Sequence, residues 1–267
     1  MTDGGPTLAQ RLGHDADARL LIVNCDDLGS SHAANLGCYD ALRNGIATSS
    51  TLMVPCPWAR EASARYQGED VGVHLTLNAE WDLYRWGPIT RAPSLHDGDG
   101  GFPRTIEDLW EHADLDEVRR ELTAQIERAI LWGFDISHRD CHMGSLSFRP
   151  EFFDIHLDLA VEYGLPMRMM GAGFEKNVGF PFRRLAAEEG VVFPDHLVFQ
   201  VGATRPKLEQ VLNGLGISTY AEIAAWGEQD IARVEDILGF PGRIGRDDWI
   251  SQAASLGAKS AAPSIGK

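Results

Sequence analysis

The dipeptide Asp26-Asp27 follows directly on the short apolar run LLIVNC (20–25). Two adjacent carboxylates at the end of a buried strand are costly unless something positive sits beside them; the plainer alternative is that one of them caps the next helix. A second segment, VGVHLTL (71–77), sets His74 inside an apolar strand, where alternation groups it with Gly72 and Thr76 on the face opposite Val73 and Leu75. In the third, ISHRDCH (136–142), His138, Asp140 and His142 stand two residues apart. An extended backbone turns all three to one face and Arg139 and Cys141 to the other. A lone histidine of this kind reads as a satisfied core residue, but three polar side chains on one face of a buried strand need a shared purpose. Carboxylate with imidazole is a ligand set for a divalent metal, two nitrogens and one oxygen favour Zn²⁺, and a carboxylate commonly orients a ligating histidine.

The elements that must position these groups alternate between short β-rich runs and longer helical periods from Arg19 to about Met170, the pattern of βα units. Strands are expected at 20–25, 47–54, 70–77, 136–142 and 166–170. The first is followed by a helix over 32–44, capped by Ser30 or Ser31 and closed by Asn44-Gly45. A second helix opens at Pro57 and runs to about Tyr66. A third, over 116–132, gathers Leu115, Val118, Leu122, Ile126 and Ala129 on one face, and a fourth spans 150–163 between Pro150 and Gly164. Beyond Thr204 the pattern becomes four short helix-like segments separated by glycine turns. Residues 1–17 therefore read as a polar N-terminal tail, 18–203 as the catalytic unit, 204–257 as a small helical module and 258–267 as a flexible tail.

Composition narrows the function classes. The 267 residues are 44% hydrophobic, the proportion of a globular chain, with a formal net charge of −15 that disfavours nucleic acid as a partner. Residues 204–267 carry 7 basic against 8 acidic side chains, without the basic stripe of a DNA binder. Cys25, Cys38, Cys56 and Cys141 form no Cys-x-x-Cys pair and read as reduced thiols, which together with a polar N-terminus lacking a secretory pattern points to the cytoplasm. No apolar run approaches the length of a membrane span.

NCDDLG, GVHLTL and SHRDCHMGSL resemble the three signature blocks of the YdjC/ChbG-like carbohydrate deacetylases, and the resemblance continues to the segment Pro166-Met-Arg and FPDH (193–196). It implies an α/β fold, a distorted, incomplete (β/α) barrel of the polysaccharide-deacetylase-like kind. It also implies one divalent metal ion, Mg²⁺ or Zn²⁺, and the removal of an acetyl group from an N-acetylated amino sugar or oligosaccharide. Carried onto this chain, the resemblance makes Asp27, His74 and His142 the metal ligands and Asp26 the general base. Asp140 then stands behind the ligands and His138 is the candidate acid. Cys25 replaces an alanine common in the family. The loop NAEWDLYRWGPI (78–89) resembles the subset carrying His-Met-Gly; Trp81, Tyr84 and Trp86 either stack on sugar rings or cover the barrel mouth. Arg168 joins them as a substrate contact.

Two departures stand out. Gly144 occupies a position where many relatives carry histidine, and no late His-Pro-Gly follows Pro194. Instead, residues 205–257 resemble helix-hairpin-helix-like tail modules, with Ala203-Thr204-Arg205-Pro206 in the place of the usual glycine hairpin. Three functions follow as alternatives: an active deacetylase, an impaired sugar-binding scaffold, or a tethering factor that meets a protein partner or a second copy through residues 204–257.

Overall fold

A computed structural model describes residues 5–198, 223–232, 250–251 and 253–254. The chain divides into two compact units, Met1–Leu197 and Val198–Lys267. The first opens with a single helical turn, α1 (Leu8–Arg11), closed by a capping box between Thr7 and Gln10. Four strands follow, each separated from the next by helical chain: β1 (Asn24–Leu28), β2 (Ser49–Leu52), β3 (Val71–Leu75) and β4 (Ile136–Cys141). They pair in parallel in the order β1-β2-β3-β4. The crossovers are α2 (His32–Asn44), α3 (Ala59–Arg65), and the pair α4 (Ile106–His112) and α5 (Leu115–Leu131); α6 (Pro150–Tyr163) follows β4, and α7 (Glu175–Val178) and α8 (Phe182–Glu188) complete the unit. This is the parallel α/β architecture that the alternation predicts.

The boundaries differ in an instructive way. β1 starts four residues later than the apolar run suggests, because pairing begins where Thr48 N–H donates to Val23 O, while Leu20, Leu21 and Ile22 are exposed. Asp26 and Asp27 consequently lie within β1 rather than after it. Neither caps α2; the hydroxyl of Ser31 does, accepting from Ala34 N–H. The expected fifth strand is reduced to one bridge between Arg139 and Met167, with Arg139 N–H donating to Pro166 O and Arg168 N–H to Arg139 O.

β2 and β3 are buried along their whole length. Val118, Leu122, Ile126 and Ala129 of α5 are fully buried in the same core; side chains of the Val, Leu and Ile kind each contribute about 1.5–3 kcal/mol on full burial. In the same helix Glu121 and Gln125 are equally buried, and each has work to do. Glu121 accepts from Ile89 N–H, Thr90 N–H and the Thr90 hydroxyl. Gln125 accepts from Thr76 N–H and donates to Thr76 O. Together they latch the end of β3 and the loop beyond it onto α5.

Gly72 lets β4 approach β3 closely, since a Cβ there would stand 2.5 Å from His138 O. After β4 the chain turns through Met143 (φ 55°) and Gly144 (φ 74°). A Cβ at Gly144 would meet the Phe148 ring at 2.7 Å, which with the left-handed φ accounts for glycine at this position. Within the second unit Ile223 and Ala253 are buried against Ala224, Trp226 and Ile250. Most of the expected helical module at 204–257, its boundaries and the tail at 258–267 lie outside the described residues. Among the described residues no helix is long and apolar enough to cross a membrane. Gly144→Ala should lower the free energy of unfolding by about 1–2 kcal/mol, the cost of a left-handed alanine; a urea midpoint equal to that of the parent chain would contradict the assignment.

Candidate metal centre

Strict alternation along β1 would send Asp26 and Asp27 to opposite faces. The strand avoids this with an irregularity between Cys25 and Leu28, where the register to β2 shifts and Asp27 adopts φ 65°. That is left-handed backbone, uncommon for a residue other than glycine and best tolerated by Asn and Asp. β3 and β4 supply the remaining groups: His74 lies opposite Asp140 in the β3/β4 register, and His142 begins the turn after β4.

The outcome is a cluster of three atoms facing one point. His74 Nε2 lies 3.3 Å from Asp27 Oδ1, His142 Nδ1 lies 3.5 Å from the same oxygen, and the two nitrogens are 3.3 Å apart. Ligand atoms about 2.0–2.2 Å from a tetrahedral ion are separated by about 3.3–3.6 Å, so this spacing fits a divalent cation. Asp27 Oδ1 is buried and, among the described residues, accepts no hydrogen bond of good geometry, an orphaned oxygen that a cation would satisfy.

Each imidazole is held from behind by a carboxylate. Asp140 accepts from His74 Nδ1, leaving Nε2 for the centre. Glu80 takes the corresponding place for His142, with Oε2 2.9 Å from Nε2, leaving Nδ1 inward. Asp140 is itself fixed through Oδ2 by the Thr51 hydroxyl at 3.2 Å and Arg168 Nη2 at 2.8 Å. Arg168 Nη1 also donates to Asp26 Oδ1, which in addition accepts from Asn24 Nδ2 at 2.7 Å. Among the described residues Asp26 Oδ2 takes no hydrogen bond, so one carboxylate oxygen is held and the other is open.

These charges dominate the titration of the cluster. Burial pushes the Asp27 carboxyl up, but His142 and His74 outweigh it and hold it far below the ordinary range. Burial pushes His74 down, and Asp140 and Asp27 overcome this to raise it well above its usual value. His142 is likewise depressed by burial and raised on balance by Asp27 and Glu80. Glu80, pushed up by burial, is held low by His142.

The other expected site residues are placed differently. His138 Nδ1 is 2.8 Å from the Ser137 hydroxyl and 3.6 Å from Asp70. It stands four residues before His142, about 13 Å along an extended chain. Arg168 is engaged by Asp26 and Asp140, and so supports the site from within. Trp86 is buried, donates from Nε1 to Asn78 O and packs edge-on to His142 at 6.1 Å between ring centroids. Tyr84 donates its hydroxyl to Ser30 O, and Trp81, 56% exposed, packs against both Tyr84 and Trp86. Of the three rings, Trp86 covers the centre, Tyr84 packs against Trp86, and Trp81 faces solvent beside them. Sequence reasoning missed Glu80, Thr51 and Asn24. Of these only Glu80 left a trace, a carboxylate six residues beyond His74 on the same loop as the aromatics.

Fold and cluster together define a parallel α/β protein with a metal-competent centre, one carboxylate and two imidazoles, at the carboxyl ends of its strands. The chain belongs to the YdjC-like protein family, whose sequence profile matches residues 20–238. It is 44% identical over 158 residues to a carbohydrate deacetylase of Thermus thermophilus, a match covering 59% of this chain and 56% of that one. It is 32% identical over 208 residues to a carbohydrate deacetylase of Geobacillus stearothermophilus, covering 77% and 78% of the two chains. The match thus spans little more than half the length of the Thermus relative. Among solved structures, a putative cellobiose-phosphate cleavage protein from Enterococcus faecalis superposes with a TM-score of 0.63 at 27% identity, covering 73% of this chain and 74% of that one.

Two outcomes test the cluster. Glu80→Gln should weaken Zn²⁺ binding about 10–100-fold, the usual effect of removing the carboxylate behind a ligating histidine; competition with a chromophoric chelator that shows unchanged affinity would contradict it. In chelator-treated protein, the stabilisation contributed by Asp27 is fully present above the ordinary aspartate value of about 3.9 and is lost as pH falls below it. The thermal stability margin of the parent chain over Asp27→Asn should therefore shrink between pH 5 and pH 2; a constant margin across that range would argue against the ion pairs.

Proposed function

We propose that the chain is a metal-dependent carbohydrate N-deacetylase that hydrolyses the acetamide of an N-acetylated amino sugar or oligosaccharide. The observation that carries this reading is the three-atom cluster of Asp27, His74 and His142 beside a carboxylate, Asp26, with one oxygen restrained and one open. The names of the relatives support the substrate class. Two imidazole nitrogens and one carboxylate oxygen favour Zn²⁺ over Mg²⁺, which prefers an all-oxygen shell.

A cation held by these three groups would supply Lewis acidity, lowering the pKa of a water and polarising the amide carbonyl. The protein's own residues do the rest. Asp140 and Glu80 fix the two imidazoles so that one ring nitrogen of each is directed at the centre. Asn24 and Arg168 hold Asp26 by Oδ1, leaving Oδ2 to take a proton from the attacking water. We assign the return of that proton to the leaving amine to Asp26 as well, with His138, two residues before Asp140 on β4, as the other candidate. Trp86 walls the centre against water on one side, and the exposed ring of Trp81 offers a platform for the apolar face of a sugar.

Zn²⁺-loaded protein should release acetate from N-acetylated chito-oligosaccharides, and chelation should abolish release. Asp26→Asn should lower kcat by about 10²–10⁴, the range for loss of a general acid-base group, while Zn²⁺ affinity changes little. Metal-loaded protein that releases no acetate across a broad panel of N-acetylated sugars would overturn the proposal.

A further inference from the structure

The opposite face of β4 holds a second polar cluster that the metal centre does not use. Arg139 points away from Asp140, toward α6, and is fully buried. Among the described residues none of its three guanidinium nitrogens has a hydrogen-bond partner. His156, on the inner face of α6, is also buried, and among the described residues neither of its ring nitrogens is partnered. The neighbouring side chains on α6 and the adjoining segment, Phe153, Leu157, Ala160 and Met167, form an apolar cluster. Burial pushes the His156 imidazole well below its usual value, and the nearby positive charge of Arg139 adds to the effect, so the ring is neutral and offers one N–H.

A guanidinium withdrawn from water without a counter-charge or acceptor is among the most unfavourable arrangements in a protein interior. Arg139 is planar and donor-only, and although burial pushes its guanidinium down to about 9 it is charged at neutral pH, so what it lacks is an acceptor carrying negative charge. We propose that Arg139 and His156 form an internal binding site for a single halide-sized monoanion, chloride in the cell. The chemistry selects that class. One positive charge balances one negative charge, the site offers N–H donors set in apolar surroundings, and a small spherical monoanion sheds its hydration at less cost than phosphate, whose greater charge would demand several more donors. Arg139 N–H and C=O are also the groups that bind Pro166 and Arg168 to β4. An anion here would therefore brace the strand that carries Asp140 together with the segment that carries Arg168.

The test compares thermal unfolding of the full chain in sodium chloride or bromide with sodium gluconate at equal ionic strength. The parent chain should gain several degrees in Tm with either halide. Arg139→Met should show no halide-specific gain and, in gluconate, should be at least as stable as the parent, because the unpaired charge is gone. His156→Phe should reduce the halide gain. In crystals of the parent chain soaked in bromide, an anomalous peak should appear within hydrogen-bonding distance of the Arg139 guanidinium. Equal Tm in halide and gluconate, the same halide gain in Arg139→Met, or a bromide map with only ordered water beside Arg139 would overturn the site. Neither readout depends on deacetylase activity.

Discussion

The left-handed backbone at Asp27 is the constraint on which the centre depends. A regular strand can present only one of two neighbouring side chains to a given face, whereas this site draws on both carboxylates of a dipeptide. The local break in β1 resolves that conflict at the cost of an unfavourable φ at Asp27. Such strain persists only where the surroundings enforce it. Here they do so twice: the β1/β2 pairing resumes at Leu28, and the two imidazoles of His74 and His142 hold the Asp27 carboxylate in place.

From that point outward the site is organised as alternating layers of charge. Imidazoles surround the centre, carboxylates stand behind the imidazoles, and Arg168 and Thr51 stand behind Asp140. Each buried carboxylate behind an imidazole faces an opposite charge or a donor, which is how so many ionisable groups share a largely buried space. The aromatic loop is fixed by equally polar means. Glu121 and Gln125 anchor its two flanks to α5, and Arg85, with contacts to Ala79 O, Asp97 and Phe102 O, cross-links its interior. Trp86 can therefore press against His142 without depending on a mobile loop.

Much of this was legible in the residues. The spacing of His138, Asp140 and His142 forecast a shared face, and α2 and α6 occupy the spans that their caps and apolar periods indicate. Other features were not legible because they depend on relations that no local pattern encodes. The run LLIVNC has the composition of a buried strand, yet its first three residues are exposed, since pairing to β2 begins only at Val23. Shared facing does not by itself assign a role: His138 stands two residues before Asp140 on β4, with its Nδ1 at the Ser137 hydroxyl. Thr51 acts through a contact across 89 residues of chain, a separation at which sequence spacing carries no signal, and the partner of Glu80, 62 residues on, was equally hidden. Arg139 is the sharpest case, because alternation turned it to the far face but gave no warning that it would be sealed there with no hydrogen-bond partner among the described residues.

Arg168 spans Asp26 and Asp140, and Asp140 in turn holds the Nδ1 side of His74. One guanidinium thus links the aim of an inward-facing imidazole to the aim of a carboxylate on β1. Neither can swing without loosening the other, so the two halves of the centre keep a common alignment.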